Sequence, residues 1–140
     1  MTARLQMSAE ALTAFLEAEF PQVAPEVSLE ALSPLRATMR LRRGERHLRP
    51  GGTISGPSMA LLVDVTFYLA LLGMIGPKPM AVTTNLALNF LRRPRDADLL
   101  CDAHILKLGR RLATGDARLY SDGGTPDEPV AHATLTYALP

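Results

Sequence analysis

The feature that most constrains this chain is the run Met59 to Ile75, MALLVDVTFYLALLGMI, in which Asp64 is the single charge. A helix apolar on nearly every side must be surrounded either by lipid or by the rest of its own protein. The run sits at the short limit for a bilayer span, lacks basic flanks, and carries its carboxylate away from the ends, where a span tolerates one least. Burial inside the protein is therefore the expectation, with no membrane as partner. The remainder of the chain then has to wall in one helix.

The flanking segments read as those walls. After Pro77 and Pro79 come four extended stretches, Ala81 to Leu91, Leu99 to Leu108, Leu112 to Ser121 and Val130 to Leu139. Turn residues separate them at Arg93-Pro94-Arg95-Asp96, at Gly109-Arg110-Arg111 and at Asp122-Gly123-Gly124-Thr125-Pro126, and connections this short predict antiparallel neighbours. Ala113, Gly115, Ala117 and Leu119 alternate with polar residues in the third stretch, and Ala131, Ala133, Leu135, Tyr137 and Leu139 do so in the fourth. Each presents a small apolar face that lets a helix approach closely. Upstream, Leu35, Ala37, Met39 and Leu41 alternate with Arg36, Thr38, Arg40 and Arg42, which predicts a further strand. Val23 to Pro34 reads as a connection with a short extended piece at Val27 to Leu29. Ser8 is placed to cap a first helix, whose Leu12, Phe15, Leu16 and Phe20 recur at three- and four-residue steps until Pro21. The expected class is α+β, one domain over residues 1–140, with an antiparallel sheet wrapped around a long buried central helix.

Fifteen Lys and Arg against fourteen Asp and Glu leave a net charge of +1, so no overall field favours nucleic acid. Any anionic ligand has to be met by local clusters. Cys101 is the one cysteine, and His47, His104 and His132 lie in separate segments without ligand spacing, so neither a disulfide nor a metal site is expected. The first twenty residues lack the uninterrupted apolar core of a secretory signal, and a cytoplasmic protein is expected.

The order helix, strand, glycine-rich loop, buried helix with an internal Asp and four long strands resembles the hotdog fold, and within it the PaaI-like acyl-CoA thioesterases. The resemblance rests on GTISGP (52–57) running on to Asp64, TTNLALNFLRRP (83–94) and AHILKLGRRLA (103–113). It implies hydrolysis of an acyl-CoA thioester to coenzyme A and a carboxylic acid, without a resident cofactor. It also implies a homodimer, with pairing of dimers into a tetramer left open.

A thioester carbonyl gains negative charge as it is attacked, so its catalyst needs fixed donors where that charge develops. A helix N-terminus supplies them, and here Gly56 permits close approach, Pro57 fits the first turn and Ser58 offers the next amide. The resemblance assigns the polarising amide to Gly56. It assigns Asp64 the role of general base or nucleophile, and matches Thr83 to a hydroxyl that orients the attacking water, with Asn85 read as lying on the same strand face. Asp64 follows Pro57 by seven residues, about 10.5 Å along a helix, too far for both groups of one helix to flank one reacting atom. Two such helices meeting antiparallel across a two-fold axis bring Gly56 of one chain to Asp64 of the other. For the phosphates of coenzyme A the chain offers Arg92 and Arg93, and Lys107, Gly109, Arg110 and Arg111 at a turn.

Three positions depart from the common family form. Ser55 and Pro57 stand within what is usually His-Gly-Gly, and Arg49 stands where an Asn is frequent. Ser55 brings no acid or base near neutral pH, and Pro57 removes an amide. A hotdog protein that binds acyl-CoA without hydrolysing it is therefore the alternative. A hydratase or dehydratase of the same fold ranks below it, because the imidazole such chemistry wants is absent at Ser55.

Overall fold

A computed structural model describes residues 3–140. Ser8 caps α1 (Ala9–Glu19), its Oγ accepting from the Ala11 amide at 3.1 Å, and the helix buries Leu12 and Leu16. A tight turn at Ala24–Glu26 leads to β1 (Val27–Ser33) and β2 (Arg36–Leu41). Next come α2 (Gly56–Ile75), β3 (Val82–Phe90), β4 (Leu99–Leu108), β5 (Leu112–Ser121) and β6 (Ala131–Ala138). All six strands form one antiparallel sheet in the order β1-β2-β4-β5-β6-β3.

The sheet curls around α2 as its residue pattern predicts. By length and composition α2 is long and apolar enough to cross a membrane, yet 67% of its most apolar window is buried inside the protein. Phe67, Leu69, Leu71 and Leu72 are fully enclosed, in one core cluster with the sheet residues Ala37, Cys101, Ala103, Ala113, Ala117, Ala131 and Ala133. Gly115 shows why those residues are small. A Cβ there would lie 2.7 Å from Phe67 Cε2 and would collide with the His104 carbonyl, so only glycine admits the ring.

Two parts differ from the sequence expectation. The extended piece expected at Val27 to Leu29 is a full seven-residue strand, because β2 gives it a pairing partner from Val27↔Leu41 to Ser33↔Arg36, with a bulge at Glu30. Pro34 sits only in the turn, where Leu35 takes φ 67°. The second difference concerns β3, which is not the neighbour of β4. The stretch 91–98 has eight residues, ample to pass the roughly 14 Å of three strand spacings, and it anchors just ahead of β6 through the Leu91 and Arg92 amides donating to the Val130 carbonyl. The strand β3 thus becomes an edge.

Candidate active site

Burial leaves one stripe of α2 uncovered beyond its first residue and before its last turn: Pro57, Ala60, Leu61, Asp64 and Tyr68. These positions recur at three- and four-residue steps, so they share a face. That face adjoins the edge strand β3. Thr83 Oγ1 donates to Asp64 Oδ1 at 2.6 Å, and the Tyr137 hydroxyl donates to the same oxygen at 2.6 Å. Thr83 and Tyr137 are register partners across β3 and β6, so both point inward at one level. Among the described residues Asp64 Oδ2 has no hydrogen-bond partner. One carboxylate oxygen is clamped by two short bonds and the other is free of protein partners among the described residues.

Tyr137 is almost fully buried, and burial first, then the Asp64 charge, pushes its phenol well above the usual tyrosine range. It therefore stays protonated as a donor. Around the pair opens a cleft of about 360 Å³, lined by Leu61, Tyr68, Ala81 and Val82 and closed by Glu19, Phe20 and Gln22 from the end of α1. Tyr68 stacks on Tyr137 with ring centroids 6.1 Å apart, and Phe15 packs on Tyr68 at 6.2 Å. A larger cavity of about 690 Å³ lies under α1 among Leu16, Val27, Met39 and Leu69. None of the predicted site residues lines it, whereas Asp64 and Thr83 line the smaller cleft.

The other predicted group gathers at the start of α2. Ser55 is the N-cap, fixed by its amide donating to the His47 carbonyl at 2.7 Å. His47 is itself buried, with Nε2 paired to Glu26 at 2.8 Å and Nδ1 accepting from the Gly44 amide at 3.0 Å. Ser55 Oγ accepts from the Ser58 amide at 3.2 Å, so that amide is not the free donor the sequence led us to expect. Pro57 has no N–H. Among the described residues the Gly56 amide meets no acceptor, and the Phe90 ring tip would lie 3.2 Å from a Cβ placed at Gly56. Arg49 is exposed nearby, Arg93 reaches the Gly51 carbonyl at 3.5 Å, and Arg92 reaches Pro129 O at 2.8 Å.

One chain thus joins Asp64 to Thr83 and keeps Gly56 about 12 Å away along α2. Asn85 is a correction. A bulge at Thr84 shifts the register from Thr83↔Tyr137 to Asn85↔Thr136, which turns Asn85 to the outer face of the sheet, opposite Thr83. Gly109, Arg110 and Arg111 form the β4–β5 turn at the Thr83 end of the sheet, on the row Thr83, Tyr137, Ala113, Leu108, and Lys107 is still within β4, opposite Thr114. Arg36, Arg40, Arg43 and Arg46 are ion-paired with carboxylates. Arg49, Arg92, Arg93, Arg110 and Arg111 have no such partner among the described residues.

Sequence reasoning did not pick out Tyr137, Tyr68 or the end of α1. Tyr137 carried a signal, as the one polar-tipped residue on the inner face of the last strand. Tyr68 lies one helical turn after Asp64 and carried a weaker one.

A family model described as the thioesterase superfamily matches residues 51–128. The chain belongs to the thioesterase superfamily. A crystal structure from Silicibacter sp. TM1040, provisionally called a thioesterase, is 49% identical, covers 99% of this chain and 95% of that one, and superposes with a TM-score of 0.91. The phenylacetic acid degradation protein PaaI from Thermus thermophilus, as a point variant, is 26% identical with a TM-score of 0.73, covering 86% of this chain and 99% of that one. A Pseudomonas aeruginosa protein, PA0474, provisionally named an esterase, is 36% identical over 71% of this chain and 72% of its own. The sheet wrapped on α2 is accordingly a hotdog fold, and at the general level this thioesterase is a thioester hydrolase. The matched region holds Gly56, Asp64 and Thr83, whereas α1 and Tyr137 lie outside it.

Proposed function

We propose that the chain is a cytoplasmic acyl-CoA thioesterase working as a homodimer whose sites are shared between copies. The observation that carries this reading is the Asp64 carboxylate on the wall of the cleft, held through Oδ1 by Thr83 and Tyr137 and with Oδ2 unpartnered among the described residues. Dimerisation is supported by β3, an edge strand with Val82 and Phe90 more than half exposed and with exposed Met80 and Leu91 beside it. Antiparallel pairing of two β3 strands about Leu86 sets the Phe90 end of one copy, where Gly56 lies, against the Thr83 end of the other.

In that arrangement Asp64 Oδ2 takes a proton from water as its oxygen bonds to the thioester carbon. The Gly56 amide of the second copy donates to the carbonyl oxygen as it becomes an oxyanion. The oxyanion then collapses, the carbon–sulfur bond breaks, and the proton passes from Asp64 to the departing thiolate of coenzyme A. Direct attack by Asp64 on the carbonyl, giving an anhydride, is the alternative route, and single-turnover hydrolysis in isotopically labelled water separates the two. A thiol-release screen over short, long and aromatic acyl-CoA esters tests the activity. Asp64→Asn should lower kcat about a thousandfold while the dimer persists in sedimentation, and near-normal turnover by that variant would sink the reading. The single free amide at Gly56 favours one second reading, an acyl-CoA binder that does not hydrolyse. It predicts calorimetric binding of acyl-CoA with no thiol release above background.

A further inference from the structure

The cleft beside Asp64 contains two carboxylates, Asp64 and Glu19, and no Lys, Arg or His among its lining residues. Coenzyme A carries several negative charges, so its nucleotide end is repelled from this cleft and drawn to the unpaired arginines at the turns. The acyl group is what remains to enter. Its route runs from Asp64 past Tyr68, one turn or about 6 Å along α2, to the rim made by Glu19 and Gln22. Tyr68 already donates its hydroxyl to the Pro79 carbonyl at 3.1 Å, so it offers an incoming tail only lone pairs.

Glu19 is placed against the interest of its own helix. It lies in the last turn of α1, where the helix dipole disfavours a carboxylate and where no basic residue offsets it. Among the described residues it has no ion-pair partner. Its charge reaches the cleft, since after burial it is the further cause pushing the Tyr68 phenol up. The segment that delivers it lies outside the region shared with the superfamily model.

We propose that Glu19 sets the charge selectivity of the acyl cleft, so that the enzyme accepts tails ending in a neutral group and rejects tails ending in a carboxylate. The proposal rests on acyl-CoA hydrolysis at Asp64. Rejection of this kind needs only one repulsive group placed where the unwanted substrate would end. Hexanoyl-CoA and adipoyl-CoA, equal in chain length and different in terminal charge, are the probes. The ratio of their kcat/KM values should favour hexanoyl-CoA about tenfold or more in the wild type and shrink with added salt. Glu19→Gln should narrow the ratio severalfold and Glu19→Lys at least tenfold. Glu17→Lys, which changes the charge of α1 equally but lines the other cavity, should leave the ratio in place. An equal ratio in wild type and Glu19→Lys, or an equal shift from Glu17→Lys, would overturn the proposal. Absence of thiol release across short, long and aromatic acyl-CoA esters would instead overturn the acyl-CoA reading, and this proposal with it.

Discussion

The two ends of the uncovered α2 stripe differ in how complete they are. Asp64 is finished within one chain, clamped by Thr83 from β3 and Tyr137 from β6 and backed by a ring-lined cleft. The N-terminal end offers a lone amide at Gly56, an exposed Phe90 beside it, and arginines without carboxylate partners. A carboxylate needs side chains from other elements to hold it, and those come from the same sheet. An oxyanion donor needs only a helix start, and its use depends on what is brought to it. On the proposed reading each chain holds one finished half-site and one waiting half-site, and β3, which links them, is the exposed edge.

Breaking the finished half has the largest expected effect, the roughly thousandfold loss for Asp64→Asn. The waiting half comes next. Gly56→Pro removes the amide while suiting the first helical position, and Ser55 before it is already in the extended region that precedes proline. It should lower kcat about a hundredfold or more, with acyl-CoA affinity largely kept in calorimetry. The clamp is a smaller lever: Tyr137→Phe and Thr83→Val should each cost about tenfold in kcat, and the double variant should exceed the product because both bonds serve one oxygen.

The smallest effect is on stability at high pH. The folded protein holds the Tyr137 proton more tightly than the unfolded chain does. The contribution is full below about pH 10 and is lost as pH rises beyond it. Wild type should lose thermal stability above that point more steeply than Tyr137→Phe, which retains the raised Tyr68 and Tyr120.

Much of the fold was legible because its signals are local. The bounds of β4 and β5 follow from Gly109-Arg110-Arg111 and the glycine turn after Ser121, and the burial of α2 follows from an apolar run with one charge. The placement of β3 was not legible, since eight residues span either to the next strand or across two others. The bulge at Thr84 gave no sign either, as Thr-Thr-Asn holds neither glycine nor proline, so Asn85 was assigned to the wrong face. Within the site, Asp64 stood out as the single charge of the apolar run, and the resemblance supplied its role together with Gly56 and Thr83. Tyr137 went unassigned because alternation tells which face a residue takes and not which side chain it meets there.

The most direct test of shared sites is complementation between Asp64→Asn and Gly56→Pro, each nearly inactive alone. If one copy supplies the amide and the other the carboxylate, mixed dimers contain one intact site, and equal mixing with subunit exchange should restore about a quarter of wild-type turnover. Recovery no greater than the sum of the two variants, with exchange verified, would place both groups in one chain and contradict the account.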